Sequence, residues 1–247
     1  MSKSALALIA IVAFLVFMVA MTPAALVYNT LQDNTLSTAP DIAISNVEGS
    51  IWKGRTDVQF KHFPIITGSW QLSPLHLLTA TARSSMTFNA QGLTGNAVIA
   101  LNSQGGTVHQ LSAIVQDTYL NPITVPYGLD LSGEVQLTDV NFGFDQHWLT
   151  AAEGKLNWNG GIVHIQTPEK IHTVNLPALE GLLSQENQTV KLDIYESGNS
   201  LMQIEIEPDG WARVAINYAL VDLANLPLPV GNGARINPAI IVEEKIL

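Results

Sequence analysis

VKLDIYESGNSLMQIEIEPDGWARVAINY, Val190–Tyr218, is the stretch that decides the fold class. Val190, Leu192 and Ile194 fall on one side of an extended chain, and Lys191 and Asp193 fall on the other. Ile204 and Ile206 then alternate with Gln203, Glu205 and Glu207, and Val214, Ile216 and Tyr218 alternate with Arg213, Ala215 and Asn217. A period of two is the mark of a strand with one face buried. Glu196-Ser197-Gly198-Asn199 and Pro208-Asp209-Gly210 separate the segments and supply the backbone angles of tight turns. The stretch predicts an antiparallel meander.

The same alternation returns upstream, at Val58 and Phe60, Met86 and Phe88, Val98 to Leu101, Val135 and Leu137, Leu156 and Trp158, and Val163 and Ile165, in a domain opened by Ile42, Ile44 and Val47. Helix is scarce. Ser73-Pro74-Leu75-His76-Leu77-Leu78 predicts one or two turns, with serine as N-cap and proline at the first helical position. Leu176, Leu179, Leu182 and Leu183 after Asn175 suggest a second short helix. An apolar-x-Gly-x-apolar element recurs around Gly49, Gly68, Gly95, Gly133 and Gly154 at unequal intervals, so it is no fixed-period solenoid. Glycines inside strands mark bulges or bends, and five of them would let a long sheet curl; glycines at the corners of a flat sheet explain the same residues. The expected class is mainly β: an antiparallel, strongly curved sheet with one or two short helices. Trp52, Trp70, Trp148, Trp158 and Trp211 mostly hold apolar-phase positions and read as core.

Ahead of this domain, Ala5–Met21 (ALALIAIVAFLVFMVAM) carries no charge and no proline. As a helix its 17 residues would span about 26 Å, close to one bilayer crossing. In hydrocarbon the unpaired backbone forces helix whatever the propensity of Val and Ile. Lys3 is the only basic residue before the run, and the next is Lys53, so the positive-inside bias keeps residues 1–4 in the cytoplasm and sends the body across. Two other readings stand beside a retained anchor. One is a cleaved signal peptide with Thr22-Pro23-Ala24 as a poor processing site, which the length of the run and its resumption at Ala24–Tyr28 disfavour. The other is a buried soluble helix. Asn29 to Pro40 is polar and without period, a tether. The division is therefore residues 1–4 cytoplasmic, 5–28 transmembrane anchor, 29–40 tether and 41–247 a periplasmic β-rich domain.

Composition narrows the function. The 247 residues carry a net charge of −10, with 13% charged residues and no cysteine; mean hydropathy is +0.23. An acidic chain without a Lys/Arg cluster is a poor partner for phosphate backbones, so nucleic-acid binding is not expected. Without thiols, stability rests on burial and backbone pairing, and cysteine-based metal sites are excluded. No G-x-S-x-G, H-E-x-x-H, Walker A or G-x-G-x-x-G motif occurs. The histidines, His62, His76, His109, His147, His164 and His172, form no short-range pair; His164 and His172 could converge in space, yet scattered histidines are the ordinary reading. Asp139 and Asp145 bracket Asn141-Phe142-Gly143-Phe144, near Asp130 and Glu134, and read more simply as turn and strand-face residues than as an acid/base pair. No catalytic, cofactor, metal or small-molecule substrate site is expected.

One combination goes beyond generic sheet. Val47-Glu48-Gly49-Ser50-Ile51-Trp52-Lys53-Gly54-Arg55, followed by Trp70-Gln71-Leu72-Ser73-Pro74-Leu75-His76-Leu77-Leu78, stands behind an apolar N-terminal run. This order resembles the protein N family of bacterial type II secretion systems. The likeness continues more diffusely through Gly133–Leu137, Gly154–Gly161 and Asp209-Gly210, and departs from it in the Leu226-Pro227-Leu228-Pro229 and Gly231-Asn232-Gly233 tail. The resemblance implies a single-pass inner-membrane protein with a periplasmic β-rich domain, an accessory part of machinery that moves folded exoproteins through the outer membrane. Its implied partners are other type II secretion components, and it implies no catalytic residues and no cofactor.

Two functions follow as expectations. The first is an assembly component that binds proteins through sheet edges or a curved face. The alternative is a periplasmic lipid-handling or envelope-biogenesis protein whose curved sheet offers an apolar groove. A hydrolase lacks a nucleophile and base that can be named. For topology, a reporter fused after Leu247 that works only outside the cytosol, such as alkaline phosphatase, is expected to be active in cells; activity of a strictly cytosolic reporter at that position overturns the orientation.

Overall fold

The computed structural model describes residues 14, 17–18, 21–34, 42–61, 63–166, 170–225 and 235–245. After helix α1 (Ala24–Asn34) six strands run as a meander: β1 (Ile42–Gly49), β2 (Lys53–Phe60), β3 (Ile66–Ser73), β4 (Ala82–Ala90), β5 (Leu93–Leu101) and β6 (Gly105–Gln116). The chain leaves through helix α2 (Asp117–Thr124) and strand β7 (Leu129–Leu131), and returns as β8 (Glu134–Asp145) and β9 (Leu149–Trp158). It leaves again as β10 (Gly161–Gln166) and β11 (Ile171–Leu176). The last stretch is β12 (Leu179–Glu186), β13 (Thr189–Glu196), β14 (Asn199–Ile206), β15 (Trp211–Ile216), helix α3 (Tyr218–Leu223) and β16 (Ile240–Lys245).

Thirteen of these strands form one sheet in the order β1-β2-β3-β4-β5-β6-β8-β9-β12-β13-β14-β15-β16. Each strand pairs antiparallel with the strand before it in that order. The two excursions pair with each other instead, as a small antiparallel sheet β11-β10-β7. The mainly β, antiparallel expectation is met.

Local chemistry sets the turns. Ser197 and Gly198 sit at φ 47° and 84° between β13 and β14, both in the left-handed region that two-residue hairpins demand. At the next corner the Gly210 N–H donates to Glu207 O at 3.0 Å, and the Glu207 N–H to Trp211 O at 2.9 Å. Between β12 and β13 the same left-handed pair is made by Asn187 and Gln188, φ 51° and 70°, with no glycine to announce it.

Three expectations need correction. Leu176 to Leu183 form no helix: Leu179, Gly181 and Leu183 point inward along strand β12 while Leu182 is exposed. Leucines three and four apart suit both periods, and a mid-helix glycine costs about 1 kcal/mol, so pairing with β9 and β13 wins. The third meander strand stops at Ile216, because Tyr218 opens α3. The glycines do not produce a strongly curled sheet among the described residues; they serve corners, bulges and a packing device described next. The Ser73-Pro74 turn is present, as a 3-10 helix over Pro74–Thr79.

Gly54 lies directly across from Trp70, Gly95 from Phe88, and Gly106 from Phe144. In each pair the aromatic ring occupies the space that a Cβ on the glycine would need. Trp70 also donates Nε1–H to Ile51 O at 3.2 Å, and the Leu72 N–H donates to Trp52 O at 2.7 Å. The two tryptophan elements of the sequence are thus one structure, a ring laid over a bare strand. Leu93, Ala113 and Val115 form a buried cluster nearby, with Phe88 and Tyr119 packed on it. Tyr119 comes from α2, and its partial burial raises its pKa.

Helix α1 rests on the first strand: the Tyr28 hydroxyl donates to Ile44 O at 3.0 Å and the Ile51 N–H to Thr22 O at 3.1 Å. No helix among the described residues is long and apolar enough to cross a membrane; most of Ala5–Met21 lies outside them. His62 and residues 226–234 also lie outside.

Two outcomes follow. Gly54→Val and Trp70→Ala are each expected to lower the stability of the full chain by about 1–3 kcal/mol. In the double variant the losses add to less than their sum, because removing the ring relieves one of the two contacts the valine makes, the other being the backbone carbonyl of Glu48; urea unfolding midpoints read this. Asp57 accepts from Asn46 Nδ2 and Thr67 Oγ1, both at 2.7 Å, and these bonds hold its carboxyl below the ordinary 3.8. Its contribution is present above that value and is lost as pH falls through the lower folded one, so wild type destabilises more steeply in acid than Asp57→Asn.

Candidate binding cleft and sheet edge

The two excursions are pinned to the meander at one corner. Asn121 of α2 accepts the Leu131 N–H at Oδ1 (2.9 Å) and donates to Leu131 O (3.0 Å), so an amide side chain pairs with β7 as a strand would. The Ser132 hydroxyl accepts the Ile162 N–H at 2.6 Å, and Trp158 Nε1–H donates to Ser132 O at 3.1 Å. Asn159 Oδ1 accepts the Glu134 N–H at 2.8 Å. Gly133, at φ 101°, fits against Gly160 O and Asn159, a space that admits no side chain.

Pinned this way, the small sheet forms a flap. Val163 and Ile165 of β10 pair with Leu131 and Leu129 of β7, and these side chains turn inward, while Ile162, His164 and Gln166 face out. Between flap and main sheet lies an apolar cleft of about 450 Å³. Its floor is a single cross-strand row, Leu156–Gly181–Ile194–Met202–Ile216–Ile240, in which each residue is the register partner of the next. Leu220 and Val221 of α3 line it as well. Glu180 is the only lining residue with an ionisable side chain, and the lining Trp158 has its N–H committed to Ser132. A sealed, empty void of this size would cost about 11 kcal/mol at about 24 cal/mol per Å³, as much as a whole domain's stability.

The opposite face of the same strands carries a row of alternating charge. Lys191 lies 3.9 Å from Glu205, Arg213 3.6 Å from Glu205, and Arg213 3.5 Å from Glu243, crossing β13 to β16. Lys191 also bonds Glu186 at 2.8 Å, which raises the lysine pKa and lowers that of the glutamate. Such exposed pairs add little stability, but the row marks this face as solvated. Trp211 shares the phase of Arg213 and is 45% exposed, which corrects its reading as core; the other four tryptophans are half-buried.

The candidate groupings do not assemble. His164 and His172 sit on opposite faces of the flap: His164 pairs with Thr173, its Nδ1 2.9 Å from Thr173 Oγ1, and His172 pairs with Ile165. Asp139, at φ 48°, occupies a bulge of β8. Asp145 closes the β8–β9 turn, accepting the Trp148 and His147 N–H groups at 2.9 and 2.7 Å, and these bonds lower its pKa. Six residues along a strand place the two about 20 Å apart, beyond the reach of a carboxylate pair. No cluster of three His, Cys, Asp or Glu side chains that could hold a metal occurs among the described residues.

At the sheet's far edge, β16 pairs with β15 alone. The Asn217 N–H donates to Leu201 O and the Glu207 N–H to Trp211 O, so alternate residues of β15 face β14 while Ala212, Val214 and Ile216 face β16. Among the described residues their register partners Glu244, Val242 and Ile240 bond to β15, and the N–H and C=O of Ile241 and Glu243 point away from it.

Comparison with known proteins now bears on the whole chain. The family model for type II secretion system (T2SS), protein N, matches residues 40–226. A type II secretion system protein N of Aeromonas hydrophila is 25% identical over 230 residues, which cover 83% of this chain and 86% of that protein. No solved structure matches. The matched span takes in the meander, the flap and both tryptophan elements, and the chain belongs to the type II secretion system protein N family.

Proposed function

We propose that this protein is an accessory inner-membrane component of the type II secretion system that takes part in exporting folded exoproteins across the outer membrane. The apolar run Ala5–Met21 anchors it in the bilayer, α1 lies against the body, and residues 41–247 form that body in the periplasm. It acts by contact with other secretion components and performs no catalysis. Family membership supports the pathway, and the apolar run Ala5–Met21 with its charge asymmetry supports the placement.

The single observation that favours a mode of contact is the unpaired edge of β16. The other outer strand, β1, carries α1 against it through Tyr28, whereas Ile241 and Val242 of β16 are about half exposed. An open row of backbone donors and acceptors is a template for an added strand. A partner strand there would extend the sheet without disturbing the cleft.

Deleting the gene is expected to leave exoproteins in the periplasm and reduce their release; unaltered release removes the secretion role. Ile241→Pro takes away an outward N–H while sparing the bonds to β15, and is expected to restore release less fully than wild type at equal protein level. Full restoration by Ile241→Pro refutes the β16 edge as the contact.

A further inference from the structure

We infer that the cleft under the flap holds the acyl chain of a membrane phospholipid. The argument begins with shape. Its floor row crosses six strands from Leu156 to Ile240, and at about 4.8 Å per strand it is about 24 Å long. A volume of about 450 Å³ drawn out over that length is a narrow slot with a mean cross-section of about 19 Å². A slot of these proportions suits an extended hydrocarbon chain and not a compact ring system. A membrane acyl chain spans one leaflet, about 15 Å, and fits within the length.

The chemistry of the walls excludes the other candidate occupant. The floor strands β9 to β15 are paired on both sides and β10 lies between β11 and β7. Along the slot the open strand edges among the described residues are therefore β16 at one end of the floor and, in the roof, β11 and β7, the last bonded at Leu131 by the Asn121 amide. A peptide inserted between these edges would leave its own N–H and C=O groups without partners, at a cost that apolar walls cannot repay. A polymethylene chain makes no such demand. The walls are aliphatic from Val163 in the roof to Met202 in the floor, and methionine adapts to flexible partners. The source of the chain rests on the membrane placement proposed above, which sets the domain beside a bilayer; the slot itself does not.

The test uses the full chain in intact cells supplied with palmitic acid bearing a mid-chain diazirine, which the cells incorporate into phospholipid. After irradiation, adducts are mapped by mass spectrometry. Phospholipid adducts on peptides containing Ile194, Met202 or Ile216 are expected, with none on the outward-facing Lys191 or Arg213. Met202→Trp, which fills the slot, is expected to cut that labelling at least fivefold while labelling of Ala5–Met21 is unchanged; if this variant does not accumulate, Ile216→Phe serves. Labelling confined to the anchor segment overturns the inference, as does labelling indifferent to both substitutions. An adduct with the mass of free fatty acid alone overturns the membrane source. Exoprotein release is scored separately in the same variants, so loss of labelling with normal release refutes neither the slot nor the secretion role.

Discussion

Backbone pairing between strands that follow one another in sequence is the constraint on which this structure depends. With no disulfide and few fully buried side chains, the ladders of the thirteen-stranded sheet carry the architecture. A sheet this wide has two faces to satisfy. The charged row over β13 to β16 commits one of them to water, so the other must find cover, and α2, α3 and the flap provide it. The cover is incomplete over the floor row, and a cleft results.

Glycine in this chain answers a steric problem more than a conformational one. Gly54, Gly95 and Gly106 give up a side chain so that Trp70, Phe88 and Phe144 can lie flat across a strand. The exchange removes bulk from one strand and returns it as a ring from the next, which keeps the surface filled and fixes register, since at Gly54 and Gly95 a slip of one residue would set the ring against a Cβ.

Most strands were legible because their chemistry is local. The alternation in Val190–Ile216 and the turn residues Ser197-Gly198 and Pro208-Asp209-Gly210 each act over a few residues. Strand β12 was misread because Leu179, Leu182 and Leu183 fit a helical face as well as a pleated one, and the Asn187-Gln188 corner lacks the usual glycine. The cleft was not legible. It needs Leu129 and Leu131 to meet Ile165 and Val163 some thirty residues on, and no local pattern encodes that pairing; the leucine doublet and the glycines before Ile162 were the only trace. The tryptophan elements could be seen, but their union through Gly54 and Trp70 is a cross-strand fact.

The order of the large sheet has a kinetic meaning. Every strand finds its neighbour just synthesised or separated from it by one short interruption, an excursion at β8 and β12 and the stretch through α3 at β16. Loop closure is therefore short at each step, contact order is low for an all-β chain, and the body can assemble vectorially, one hairpin upon the last, as the polypeptide emerges. Only the small sheet must wait: β7 stays without its partner until β10 appears, so the roof is the last part of its half to close.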